Sequence, residues 1–171
     1  MSILPVRLFG DPVLRKHAEP VEDIDATIAA LVKNMYVTQA RQKGIGLAAP
    51  QVGLSRRLFV VDTTELITAG SSSAYLNPEL IGTYGEVVYE EGCLSFPGIH
   101  LDICRPRQIG LRFVDLEGKE HTLDADGILA RIILHELDHL EGRLFIDMLP
   151  EEAQKQVVAL LRERGVIATG P

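Results

Sequence analysis

The chain predicts an α+β fold in which small antiparallel β-sheets pack around one central buried α-helix, with one helix before it and one after it. Three observations carry this reading. A breaker-free run over residues 128–140 keeps apolar side chains on most faces, the pattern of a helix enclosed nearly all round. Short β-branched and aromatic runs are separated by Gly, Ser and Pro turns, as in strands joined by tight connections. Two further segments repeat apolar residues at three- and four-residue steps, as amphipathic helices do.

In chain order, Phe9-Gly10-Asp11-Pro12-Val13-Leu14 and Glu19-Pro20-Val21 hold two prolines and a glycine, which exclude long regular structure and predict an extended arm. From Ile24, the residues Ile28, Leu31, Val32 and Met35 share one face of a helix that runs to about Gln42 and stops at Gly44, with Asp23 or Asp25 as its cap. Leu58-Phe59-Val60-Val61-Asp62, Ala74-Tyr75-Leu76-Asn77-Pro78 and Gly85-Glu86-Val87-Val88-Tyr89 read as strands. Ser71-Ser72-Ser73 beside Gly70 reads as a loop tip. Residues 109–115 alternate apolar and polar, turn at Asp115-Leu116-Glu117-Gly118-Lys119 and return through Glu120-His121-Thr122-Leu123 as a hairpin. After the central helix, Pro150 closes a loop. Residues 151–164 then form a C-terminal helix with Val157, Leu160 and Leu161 inward and Gly165 beyond its end. No segment repeats, and 171 residues suit one domain spanning the whole chain, 1–171.

Composition narrows the function. The chain is 46% hydrophobic and 24% charged, the profile of a chain that folds on its own. A net charge of −7 repels phosphate backbones and anionic lipid surfaces, so broad nucleic-acid binding is disfavoured. The start lacks a basic region followed by a long apolar stretch, and no run approaches the roughly 18 apolar residues of a membrane span, which predicts a cytoplasmic protein. The two cysteines, Cys93 and Cys104, are expected as thiols in a reducing compartment, Cys104 as a small packed residue.

The chemistry-bearing signal is His135-Glu136-Leu137-Asp138-His139 within the central helix. Residues four apart share a face, so both imidazoles can point at one metal ion while Glu136, one step round, reaches a water beside it as a general base. Such a pentapeptide also arises by chance on exposed helices, but here Ile132-Ile133-Leu134 and Leu140 flank it, and two histidines and a glutamate are costly to bury without coordination or pairing. A catalytic site usually has three protein ligands and one open position. Zinc peptidases with this helix often take a downstream histidine or glutamate. No histidine follows His139, which leaves Glu141, Glu151, Glu152 and Glu163 as downstream candidates. Upstream, Glu90-Glu91-Gly92-Cys93-Leu94-Ser95-Phe96-Pro97 offers a thiol in a glycine-loosened turn; in isolation Cys93 would read as a packed residue. The third segment, Gly44-Ile45-Gly46-Leu47-Ala48-Ala49-Pro50-Gln51, has little side-chain bulk and suits edge-on pairing with an extended substrate, or else a close-packed turn. It lacks the lysine and spacing of a phosphate loop.

Taken together and in order, these three motifs resemble those of the peptide deformylase family. The likeness extends to Asp11-Pro12-Val13-Leu14-Arg15 and Gly142-Arg143-Leu144-Phe145-Ile146-Asp147, most of the chain up to about Pro150. The resemblance implies removal of the formyl group from the formyl-methionine of nascent polypeptides, with release of formate. It implies Cys93, His135 and His139 as ligands of Fe²⁺, for which Zn²⁺, Ni²⁺ or Co²⁺ can substitute. It implies Glu136 as the proton carrier, with the Gln51 amide and the Leu94 backbone N–H stabilising the oxyanion. A substrate groove is then expected between the Gly44 segment and the Glu91 segment, with Ile45, Gly46, Glu91 and Ile132 against the formyl-methionyl peptide. Ile45, Ile132 and Leu129 are the candidates for the methionine pocket.

The resemblance leaves other residues to be read singly. His100 stands where many relatives carry an arginine or an aromatic residue and is expected to be exposed. Arg131 reads as a structural ion pair, with the pocket rim as the alternative. Asp138 either orients a ligand or pairs with Arg105 or Arg107. His17 and His121 belong to the surface. A monomer is expected, with Lys155, Arg162 and Arg164 of the C-terminal helix offering a contact to the ribosome. The rival readings are a metallopeptidase for which Cys93 is dispensable, and a non-hydrolysing module that binds metal or formylated peptides.

Overall fold

A computed structural model describes residues 2–64 and 72–167. It contains helices α1 (Ala26–Arg41), α2 (Gly127–Leu140) and α3 (Glu151–Glu163). Its strands are β1 (Gly46–Ala48), β2 (Leu58–Asp62), β3 (Ser72–Tyr84), β4 (Val87–Cys93), β5 (Phe96–Arg105), β6 (Gln108–Val114) and β7 (Glu120–Asp126). Short 3-10 turns cover Pro12–Arg15, Ala49–Val52 and Phe145–Met148. The predicted α+β class is the observed one. Among the described residues no helix is long and apolar enough to cross a membrane.

Strands β1-β2-β3-β6-β7 form one antiparallel sheet in that order, and β4 and β5 form a separate hairpin. The run Leu58-Phe59-Val60-Val61 is apolar throughout because β2 is covered on both faces. Leu58 and Val60 join a cluster with Ile28, Val32 and Met35 of α1, while Phe59 and Val61 join one with Ile132, Ile133 and Leu137 of α2. The long apolar helix is thus enclosed: every residue from Ala130 to Leu140 is buried. Asp25, one of the two expected caps, accepts hydrogen bonds from the Thr27 and Ile28 N–H groups and starts α1.

Four expectations change. The N-terminal arm is interrupted by the 3-10 turn at Pro12–Arg15, which Asp11 caps by accepting from Val13 N–H. The strand expected to stop at Pro78 continues to Tyr84. Register shifts between Leu76 and Glu79 and between Leu80 and Gly82 accommodate the proline, as bulges do. Of the expected loop tip, Gly70 and Ser71 lie outside the described residues, while Ser72 and Ser73 begin β3. Strand β5 has no counterpart in the sequence reading. It turns Ile99, Ile103 and Arg105 inward, so the intervening Cys104 points outward and is exposed, not packed.

The arm lies across the first two motif segments and the end of α2. Arg7 N–H donates to the Gln51 carbonyl at 2.7 Å, Phe9 N–H to the Ser95 carbonyl at 2.9 Å, and Ala18 N–H to the Leu140 carbonyl at 2.8 Å.

Candidate active site

Helix α2 brings His135 and His139 onto one buried face, their rings 5.1 Å apart and nearly perpendicular. Cys93 ends β4, just before the two-residue turn Leu94-Ser95 that leads into β5. Its Sγ lies 3.3 Å from His139 Nε2. The donor atoms of Cys93, His135 and His139 all fall within 4.8 Å of one another. Ligands at ordinary metal–sulfur and metal–nitrogen lengths in a tetrahedron stand about 3.4–3.6 Å apart, so a small contraction fits these three to one ion.

The supporting contacts fit the same ion. His135 Nδ1 lies 2.9 Å from Glu91 Oε2, which fixes the ring and leaves Nε2 for coordination. Burial alone would raise the Glu91 pKa, but hydrogen bonds from His135 and Arg105 overcome it and hold the carboxyl down at about 2. Burial keeps His139 neutral, well below its ordinary value, with a lone pair free to ligate.

Glu136 stands one residue from the first histidine, 4% exposed, and burial pushes its pKa up to about 7. The Glu91 carboxylate adds to that rise. A Cβ built on Gly46 would sit 2.3 Å from Glu136 Oε1, so β1 approaches this carboxylate at a distance only glycine permits. Gln51 is oriented by the backbone: Ala48 N–H donates to Oε1 at 2.8 Å, which turns Nε2 towards Cys93 Sγ at 3.6 Å and Ser95 Oγ at 3.3 Å. These groups border a cavity of roughly 530 Å³ that also meets Ile45, Leu94 and Ile132. The arrangement puts three potential metal donors beside a buried carboxyl group and a side-chain amide at the edge of a cleft large enough for a side chain.

The sequence profile of the family described as Polypeptide deformylase matches residues 3–155. The chain belongs to the peptide deformylase family. Members of this family are hydrolases that remove N-formyl groups from nascent peptides. The chain is 46% identical over 147 residues to peptide deformylase 1 of Clostridium perfringens, covering 86% of this chain and 98% of that protein. It is 42% identical over 164 residues to the peptide deformylase of a Picosynechococcus species, covering 95% and 86%. Among solved structures, the Ehrlichia chaffeensis peptide deformylase in complex with actinonin superposes with a TM-score of 0.91 at 34% identity, covering 96% of this chain and 98% of that one. The Legionella pneumophila peptide deformylase superposes at 0.89 with 35% identity, covering 99% of both.

Within this deformylase fold the residues singled out from sequence fall into two groups. Cys93, His135, His139, Glu136, Gln51, Leu94, Gly46, Ile45 and Ile132 converge on the cation site and its cavity. Glu91 also borders the cavity, but both of its carboxylate oxygens are engaged by Arg105, Arg131 and His135, so its side chain serves the histidine instead of a peptide. Leu129 packs towards the sheet, and Ile128 borders the cavity in its place, one turn before Ile132. Asp138 accepts from Arg105 at 2.6 Å, not from Arg107, which pairs with Asp126. Arg131 forms the ion pair expected of it, with Glu91 at 2.7 Å. His100 is exposed as expected, 3.7 Å from Glu90. Sequence reasoning missed Ser95 and the inward role of Arg105. The alternation Ile99, Leu101, Ile103, Arg105 was the available signal, since it puts an arginine on the buried side of a strand.

Proposed function

We propose that this chain hydrolyses the N-terminal formamide of formylmethionyl peptides to formate and a free amine, with Cys93, His135 and His139 holding the cation. The observation that carries the proposal is Glu136: a buried carboxyl group next to His135 in the chain and on the cavity wall, against which only a glycine, Gly46, can pack. A divalent ion at these donors acidifies water and polarises a carbonyl oxygen. Glu136 accepts the proton of the attacking water and returns it to the departing amine nitrogen, two tasks that suit a group titrating near neutrality. Its Oε2 is buried and has no hydrogen-bond partner among the described residues, so its acceptor capacity is free for that proton. Gln51 Nε2 and the Leu94 N–H donate to the oxygen that gains charge as the formyl carbon becomes tetrahedral. The peptide lies extended along the β1 edge at Gly46, with its methionine side chain against Ile45 and Ile132.

The resident ion in this proposal is Fe²⁺. One thiolate and two imidazoles also accept Zn²⁺, Ni²⁺ and Co²⁺, so supply decides which is found. The chain acts as one cytoplasmic domain and as a monomer. Contact with the ribosome is assigned to α3, whose exposed Lys155 and Arg162 stand among Glu151, Glu152 and Glu163. Co-sedimentation with ribosomes tests it, and is expected to weaken in K155E/R162E.

Incubation of the iron-loaded protein with formyl-Met-Ala under anaerobic conditions is expected to release formate. No formate from protein that carries a full equivalent of metal overturns the proposal. Cys93→Ala is expected to lose the metal. A Cys93→Ala protein that keeps its metal and cleaves internal peptide bonds would establish the metallopeptidase instead.

A further inference from the structure

The hairpin β4–β5 supplies Cys93 and helix α2 supplies both histidines, yet their apolar residues belong to different clusters. Those of α2, from Ala130 to Leu140, pack with the five-stranded sheet. Those of the hairpin, Phe96, Ile99 and Ile103, pack with Leu14, Phe145, Val157 and Leu161. A buried ionic cluster joins the two elements where the hydrophobic clusters do not. Arg105, at the end of β5 and 3% exposed, directs Nε and Nη2 at the two oxygens of Glu91, at 2.6 and 3.0 Å. Its remaining nitrogen, Nη1, reaches Asp138 of α2 at 2.6 Å. Glu91 in turn holds His135 at 2.9 Å, three residues before Asp138.

The arginine therefore meets the ligand-bearing turn of α2 at two points, directly at Asp138 and through Glu91 at His135. A guanidinium is suited to this because its donors are fixed in one plane, so satisfying both carboxylates sets an orientation as well as a charge balance. Arg131 completes the balance. It donates to Glu91 at 2.7 Å and to the carbonyls of Ile103 and Val87 on the two hairpin strands, at 2.7 and 2.6 Å. Arg105 and Arg131 thus face the carboxylates of Glu91 and Asp138, with the exposed Arg143 adding a 3.1 Å pair to Asp138, so neutralising either buried arginine leaves a buried carboxylate undercompensated.

We propose that Arg105 is a positioning residue of the metal centre: by forking onto Glu91 while holding Asp138, it registers the hairpin that carries Cys93 against the turn of α2 that carries the histidines. The distance between sulfur and the two nitrogens then depends on a residue that touches neither metal nor substrate. This rests on the three-ligand reading of the site.

The test uses Co²⁺ as the probe, without substrate. Wild-type protein is titrated with Co²⁺ against a competing chelator, and the thiolate-to-cobalt absorption band is recorded. Absence of that band in the wild type would sink the three-ligand reading itself, separately from the role of Arg105. Arg105→Lys keeps the charge but loses the fork, and Asp138→Asn keeps the shape but weakens the pull from Arg105. Both are expected to bind Co²⁺ about 10-fold or more weakly and to shift the band, the range in which outer contacts tune metal sites. Arg112→Gln, which breaks the exposed pair with Glu79, serves as the control and is expected to change neither. Folded Arg105→Lys or Asp138→Asn protein with wild-type affinity and spectrum overturns the proposal. Loss of folding in both, with the control folded, also overturns it, because the cluster would then hold the fold and not the ligands.

Discussion

Helix α2 and the β4–β5 hairpin contribute to the same centre by different physical means. In α2 the histidines are neighbours by helical geometry alone, four residues apart on a buried face. In the hairpin, Cys93 lies 42 residues upstream of His135 and 46 upstream of His139 in the numbering, so its position depends on contacts between elements. Besides the apolar packing of the hairpin, those contacts include a buried polar cluster of Glu91, Arg105, Arg131 and Asp138. A site half built by local periodicity and half by a long-range ionic cluster should fail in two distinguishable ways.

Substitution of the carboxyl that α2 carries between its histidines should remove chemistry and spare the metal. Glu136→Gln is expected to lower kcat by about 10²–10⁴-fold, the usual range for a lost acid/base group, with bound metal per chain unchanged in elemental analysis. A variant that loses its metal instead would show that Glu136 supports the ligands, and would erase the contrast with the hairpin.

The next effect sharpens the boundary between the two regions from a third, β1. Gly46→Ala places a methyl where Glu136 Oε1 stands, 2.3 Å from the new carbon, so strand or carboxylate has to move. We expect a fall in kcat/KM of about 10–100-fold, in keeping with the sensitivity of catalysis to ångström-scale misplacement. Metal content should stay at the wild-type level. Wild-type kinetics in Gly46→Ala would mean that this close approach has no catalytic consequence.

The last effect is on acid stability and belongs to the hairpin. The Glu91 pKa is depressed from 4.5 to about 2 in the folded protein, so its stabilisation is complete above about 4.5 and is lost as pH falls towards 2. By linkage a shift of this size is worth roughly 3 kcal/mol. In metal-free protein, the urea midpoint of the wild type should drop steeply between pH 4.5 and 2. Glu91→Gln should start lower and show a flatter slope over the same window. Parallel slopes would mean that Glu91 ionises alike in the folded and unfolded chains.

The same contrast explains what could be read from sequence. Helix α2 and its two histidines were legible because period and chemistry occupy one uninterrupted stretch, and β2 because a four-residue apolar run can be buried on both faces. The match of the three motifs to a known family made Cys93 legible as well. Strand β5 was not, since Pro97, Gly98 and scattered polar residues mask an alternation that appears only when every second residue is followed. The engagement of the Glu91 side chain was hidden for a related reason. A carboxylate beside a ligand motif suggests a substrate contact, and only the arrival of Arg105, Arg131 and His135 from other elements shows that it is already occupied. Burial of a charge is a tertiary property, and no residue type announces its partner.

The N-terminal arm gives the architecture a schedule. Its hydrogen bonds run from Arg7, Phe9 and Ala18 to carbonyls at Gln51, Ser95 and Leu140, so the arm, made before any of them, can finish docking only after the last of these has appeared. Translation at about 5–20 residues per second separates residue 18 from residue 140 by several seconds to tens of seconds. Throughout that interval the arm has fewer than its full set of partners, and the two histidines arrive only near its end. The arm is thus a clasp that can close fully only once the helix it fastens has been made.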